Sequence, residues 1–268
     1  MKNYNLFEII EKIEKLFPLK FAEKWDNIGL QVATSNKKIK KILLTIDLTP
    51  SIIEYSFKNN FDLIISHHPL IFTPLKNILP FYDPVANILF KLIKYDIPLY
   101  VMHTNLDKIF FDKLSKLFNL KKVKPLKPEI NSKFGIGAYG ELKNSITLKE
   151  LILQIEKKLE IENLKFIGDL SQKIKRIAFC QGSGSEFINS ILIKNNIDAF
   201  VTSDIKHHTA LTALNMNKAI IDAGHYDTEK IMLPELKNKL AKIFPDIYFE
   251  ISKIRTEPFK IFNLKEVK

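Results

Sequence analysis

"IISHHPLIF", residues 64–72, places two adjacent histidines at the end of an apolar run. Side chains of neighbouring residues in a strand point to opposite faces, so two imidazoles inside a strand could not serve one site. Once the strand ends, the backbone can turn and adjacent side chains need not diverge. The run "DLIIS" (62–66) therefore reads as a buried strand, and His67 and His68 as residues at its C-terminal edge.

Working outward, "KILLTIDL" (41–48) and "IPLYVMH" (97–103) are further buried strands. Helical stretches at 50–60 and 84–95 lie between them. Residues 5–17 form an amphipathic helix that Pro18 stops. "KWDNIGLQV" (24–32) is a turn feeding a short strand. The second half repeats the pattern: "KRIAFCQGSGS" (175–185), "DAFVTSD" (198–204) and "KAIIDAG" (218–224) are strands separated by helices, with "DIYFEIS" (246–252) a late strand. Alternating strands and helices imply parallel βαβ units. Each half runs strand, helix, strand, His-His pair, helix, then a strand ending in His-x-x-x-acid, which reads as a distant internal duplication. The segment 121–142, with two prolines and three glycines, reads as a break. The expectation is an α/β protein of two domains with related topology, 1–125 and 126–268, with a metal site at the C-terminal strand ends between them.

All six histidines fall at four strand-end places: His67 with His68, His103, His207 with His208, and His225. Ligand sites of open α/β sheets lie at that edge. Asp107 and Glu229 follow His103 and His225 by four residues. Clustered imidazoles and carboxylates suit Zn, Fe or Mn better than Ca or Mg. Two such ions about 3.5–4 Å apart can share a bridging carboxylate and activate water. The alternative for a strand-end histidine is a hydrogen-bonded packing residue, and it is the joint pattern that favours metal. No nucleophile elbow surrounds Ser66. Cys180 lies in a buried strand run and is a poor nucleophile. "QGSGS" lacks the phosphate-loop lysine, so Gly182 and Gly184 read as a strand-to-helix turn. Trp25 could stack on a base, although core packing is the preferred reading.

Composition narrows the classes. The single cysteine allows no intrachain disulfide, and 46% of the chain is hydrophobic. The stretch "MKNYNLFEIIEKIEKLF" lacks the apolar core of a secretory signal, and no run suits a membrane span. A soluble cytoplasmic protein is expected. The net charge is +11, but only Arg176 and Arg255 of the 41 basic residues are arginine. A lysine surface of this kind argues weakly for nucleic acid, because phosphate recognition favours arginine's bidentate fork.

"SHHPLIF" (66–72), "HTNLD" (103–107), "SDIKHH" (203–208) and "GHYDTE" (224–229), with "WDNIGLQV" and "CQGSG", resemble the GTP cyclohydrolase I type 2 family, also called the NIF-three-like dinuclear metal-binding family. The resemblance covers nearly the whole chain. It implies two divalent ions per chain (Zn, Fe or Mn) held by His67, His68, Asp107, His225 and Glu229, with the two carboxylates bridging. It implies a homohexameric ring that acts on GTP or another nucleotide by attack of water on the imidazole ring and release of formate. His103 and His208 become candidates for proton transfer, and Trp25 and Lys206 for substrate binding. Three positions depart from the family pattern: Ala138 replaces an arginine, and Ala33 and Ser203 replace glycines. The missing arginine could remove an anion contact. Two rival readings remain: a non-catalytic metal-bound ring that binds protein or nucleic acid, and a metal hydrolase for another nucleotide or phosphate ester.

Overall fold

The computed structural model describes residues 4–35, 37–129, 133–188 and 196–261. The chain is α/β and divides into two compact units, residues 1–110 with 232–256, and residues 111–231 with 257–268.

The first unit carries a five-stranded sheet. Its strands are β2 (Gly29–Val32), β4 (Lys41–Thr45), β5 (Leu63–Ser66), β6 (Leu99–Val101) and β13 (Tyr248–Ile251), in the spatial order β13-β4-β5-β6-β2. β13, β4, β5 and β6 run parallel, and β2 pairs antiparallel with β6. All four residues of β5 are buried, as a strand covered on both faces requires. Leu43, Ile64 and Leu99 pack against Ile52 and Ile53 of α2 (Pro50–Lys58) and Ile88, Leu89 and Leu92 of α3 (Pro84–Lys94). Both helices begin with a side-chain cap and proline at the first turn: Thr49 Oγ1 accepts from Ile52 N, and Asp83 accepts from Val85 N and Ala86 N. α1 (Leu6–Leu16) opens with a reciprocal capping box between Asn5 and Glu8 and buries Leu6, Ile9, Ile10 and Ile13. A short ladder joins β1 (Tyr4–Asn5) to β3 (Lys38–Ile39). α4 (Thr104–Ile109) starts at His103, just past β6, and α9 (Leu233–Ile243) lies against β13 and β4.

The second unit has six strands: β7 (Lys121–Pro128), β8 (Gly135–Thr147), β9 (Lys165–Ile167), β10 (Lys173–Ser183), β11 (Ala199–Ser203) and β12 (Ala219–Asp222). Their spatial order is β7-β8-β10-β11-β12-β9. β10, β11 and β12 are parallel, and β9 pairs antiparallel with β12. One face buries Ile177, Phe179, Val201 and Ile221 against α5 (Lys113–Leu117) and α6 (Leu148–Leu159). The other buries Ala178, Cys180, Phe200 and Ile220, with Ala213 of α7 (His207–Asn215). The short helix α8 (His225–Glu229) follows β12. Both units thus share three successive parallel strands, β4-β5-β6 and β10-β11-β12, with an earlier strand paired antiparallel at the far edge.

Division of the chain differs from the expected 1–125 and 126–268. The proline- and glycine-bearing segment is a hairpin, not a linker: Pro125 pairs with Ala138 and Lys124 with Tyr139. The ladder carries residues 121–128 into the second unit. At the other end the late strand returns to the first sheet, pairing Phe249 with Ile42 and Ile251 with Leu44. Ala138 is fully buried in β8 between Pro125 and Phe179. A side chain there is part of the sheet packing, so its size alters the hairpin before it alters any anion contact.

Across this sheet Glu141 of β8 lies between Arg176 of β10 at 2.8 Å and Lys122 of β7 at 3.0 Å. Hydrogen bonds from these two cations pull its carboxyl down to about 2. Because the folded value is depressed, the stabilisation is present above the ordinary glutamate value of about 4.3 and is lost as pH falls through about 2. Carboxyl-carbon NMR titration should find Glu141 ionised at a pH where exposed glutamates are protonated, and Arg176→Gln should return it toward the ordinary value.

Candidate metal centre

The chain turns as soon as β5 ends. His67 N and His68 N still donate to Thr45 O and Ile46 O of the neighbouring strand, both at 2.9 Å. Ser66 Oγ donates to His68 O at 2.8 Å and curls the backbone. The two imidazoles therefore lie on one side, with ring centroids 5.0 Å apart. His103, at the N-cap of α4, adds a third ring, 5.1 Å from His67 and 5.4 Å from His68. Nitrogens of these three rings come within 4.8 Å of one another, a grouping that could hold a metal ion.

Hydrogen bonding decides which nitrogen faces the cluster. His67 Nδ1 donates to Met102 O at 2.9 Å, and a carbonyl can only accept. His68 Nδ1 donates to Asp47 Oδ1 at 2.7 Å, and His103 Nδ1 to Asp26 Oδ1 at 2.9 Å. With the proton on Nδ1, Nε2 is the basic nitrogen, as in histidines that bind metal with an oxygen acceptor behind them. His67 Nε2 lies 3.6 Å from Asp107 Oδ1. Two ligands on one ion, at bonds of about 2.1 Å and tetrahedral angles, would be about 3.4 Å apart. The donor set and its orientation fit a borderline divalent cation.

Asp26 holds the site from behind. It also accepts from Thr104 N at 3.0 Å and Thr104 Oγ1 at 2.5 Å. Burial pushes its carboxyl up, but the hydrogen bonds from His103 and Thr104 outweigh that and hold it below the ordinary range. Asp47 likewise spans two partners, accepting from Thr256 Oγ1 at its second oxygen.

In the second unit, His225 and Glu229 are the first and last residues of α8, four apart and on one helix face. His225 Nδ1 donates to Asp204 Oδ2 at 2.6 Å, and His225 Nε2 lies 3.1 Å from Glu229 Oε1. Glu229 is 3% exposed. Gly182 explains how this carboxylate fits. Its φ is +60°, and a Cβ built there would clash with Glu229 Oε1. Gly182 is therefore not the expected strand-to-helix turn. It sits within β10, where a bulge between Phe179 and Ser183 opens room for Glu229, and its N–H donates to Thr228 Oγ1. The turn falls at Gly184.

His207 and His208 begin α7 and are exposed, as is Lys206, so this second pair does not reproduce the strand-end geometry of His67 and His68. Three intervening residues after β11, Asp204, Ile205 and Lys206, carry them onto the helix. Trp25 is 58% exposed, which overturns the core-packing reading. Cys180 is buried in the sheet, as expected. Asp26, Asp47 and Asp204 were not among the expected site residues. Their only signal is position: each is an aspartate in or beside a strand-end block, "WDN", "TID" and "TSD".

Strand-end imidazoles backed by oxygen acceptors, with carboxylates nearby, define an α/β protein with clusters able to hold a metal. Comparison with known proteins gives the family. A family model described as Duf34/NIF3 (NGG1p interacting factor 3) matches residues 4–258, and the chain belongs to that family. It is 34% identical over 260 residues to a Clostridium perfringens protein named GTP cyclohydrolase 1 type 2 homolog, covering 95% of this chain and 98% of that one. It is 29% identical over 261 residues to the NGG1-interacting factor 3 of Saccharomyces cerevisiae, covering 88% and 90%. Among solved structures, a hypothetical protein of Staphylococcus aureus superposes with a TM-score of 0.88 at 28% identity, over 97% of this chain and all of that one. Reduced HcgD from Methanocaldococcus jannaschii gives 0.81 at 30% identity, over 95% of this chain and all of that one. Among the described residues no helix is long and apolar enough to cross a membrane.

Replacing Gly182 by alanine should force Glu229 out of its place. We expect a loss of roughly 1–3 kcal/mol in urea unfolding, from the positive φ and the clash together, and a fall in bound metal per chain.

Proposed function

We propose that this chain is a metal-dependent hydrolase with two divalent ions held by His67, His68, Asp107, His225 and Glu229, acting on GTP at C8 of the imidazole ring with release of formate. The observation that carries the reading is the shared orientation of His67, His68 and His103, each with Nδ1 on an oxygen acceptor and Nε2 as the basic nitrogen, with His225 and Glu229 side by side on one helix face. Divalent ions so held supply Lewis acidity and a water-derived nucleophile at neutral pH. His67, buried on all sides, fixes one ligand direction, and Met102 O sets its tautomer. His103, paired to Asp26, is the residue in this geometry suited to taking and returning a proton at Nε2. His208 is exposed at the head of α7, whereas His103 is backed by Asp26, so His103 is preferred. The name of the Clostridium relative supports the choice of GTP. The family resemblance also leads us to propose a homohexameric assembly in the cytoplasm.

A second reading has its own support. The yeast relative is named for an interacting factor, and this chain carries a net charge of +11. A non-catalytic metal protein that binds a macromolecule would retain its ions, release no formate and bind nucleic acid with strong salt dependence.

Metal analysis of protein purified without chelator, followed by a formate assay with GTP on the same sample, separates these. About two ions per chain with formate release is expected. Asp107→Ala and Glu229→Ala should lose metal and turnover yet keep the far-ultraviolet spectrum of the folded chain. Full metal retention in both variants would remove the ligand assignment. Metal without formate would transfer the reading to another nucleotide, to a phosphate ester or to the binding protein.

A further inference from the structure

Trp25 and Phe72 are large apolar side chains that the first unit leaves 58% and 52% exposed. Their ring centroids lie 5.9 Å apart at an interplanar angle of 47°, an open V. The edge of the V meets the imidazole cluster, because Trp25 packs edge-to-face on His103 at 6.0 Å.

The backbone on both sides of the V is pinned. Next to Trp25, Asp26 is tied to His103 and Thr104, Glu23 N donates to Thr104 Oγ1 at 2.9 Å, and the Glu23 carboxylate pairs with the buried Lys108 at 2.9 Å. Next to Phe72, Ile71 O accepts from Asn27 Nδ2 at 2.5 Å and Gln31 Nε2 at 3.0 Å, and Ile71 N donates to Gln31 Oε1 at 2.9 Å. Two aromatic faces are thus held toward solvent by chain that is itself immobilised. Leaving indole and phenyl surface in water is unfavourable. Holding them there in advance lowers the ordering cost of any flat ligand that covers them.

We propose that Trp25 and Phe72 form a stacking site for a planar heterocycle, which they present to the His67–His68–His103 cluster. Stacking on an aromatic side chain tolerates many bases because each has a π face, so the site would fix the ring's position while groups beyond it choose among bases. The inference deepens the nucleotide-hydrolase reading and rests on it for the choice of probe.

Trp25 is the chain's single tryptophan, so its fluorescence reports this site directly. Binding is read without turnover, on metal-loaded and chelator-treated protein, exciting at the red edge of the indole band to limit absorption by the base. Guanosine and adenosine should quench saturably, and inorganic triphosphate and ribose 5-phosphate should not. Phe72→Ala should weaken guanosine binding about 10-fold to 100-fold, and Phe72→Tyr should keep it within a few-fold. Three results would each overturn the inference: no saturable change with either nucleoside in folded protein, an equal response to triphosphate alone, or unchanged affinity in Phe72→Ala. If guanosine quenches but GTP yields no formate, the stacking site stands and the GTP hydrolase reading falls.

Discussion

The candidate centre depends on hydrogen bonds made behind the histidines. An imidazole at a strand end can rotate and can carry its proton on either nitrogen. Met102 O, Asp47 and Asp26 remove both freedoms for His67, His68 and His103. Each places the proton on Nδ1 and sets the ring plane. A metal site needs its lone pairs aimed before the ion arrives, because reorientation afterwards would weaken binding. These acceptors lie on different elements, so the site is only as well ordered as the sheet that aligns them.

The two sheets solve that alignment in the same way. In each unit an early strand, β2 or β9, returns antiparallel on the far side of the third parallel strand, β6 or β12. The following helix then starts within a few residues, at His103 or His225, and places an acid four residues later on the same side. The first unit adds β13 beside β4, and the second adds the β7–β8 hairpin beside β10. The strand-end chemistry recurs, while the flanking strands differ. The His-His pair follows the flanking geometry more than the repeat. His67 and His68 still hydrogen-bond to the neighbouring strand, whereas His207 and His208 have passed onto a helix.

Much of this was legible in the residues. Continuous apolar runs such as "KILLT" and "LIIS" mark buried parallel strands, because a strand covered on both faces needs no polar alternation. The spacing His-x-x-x-Asp and His-x-x-x-Glu marks one helix face. Less legible were features whose partners lie far along the chain. The prolines and glycines of 121–142 read as a break, but pairing between Pro125 and Ala138 puts the prolines in the edge strand β7 and the glycines in β8 beside it. Gly182 read as a turn residue, but the bulk of Glu229 requires a glycine there. Trp25 read as core, but the loop that carries it is latched to α4 through Asp26 and Glu23 and leaves the indole outside.

By itself the sequence determined the α/β class, the strand-end location of the histidines and the residue types able to ligate a metal. These follow from periodicity and side-chain chemistry, which are local. Only the tertiary structure decided which nitrogen of each imidazole faces the cluster, which aspartates stand behind them, that His103 joins His67 and His68, and that residues 232–256 return to the first sheet. Those outcomes are contacts between residues tens to hundreds of positions apart, and nothing in a local pattern encodes them.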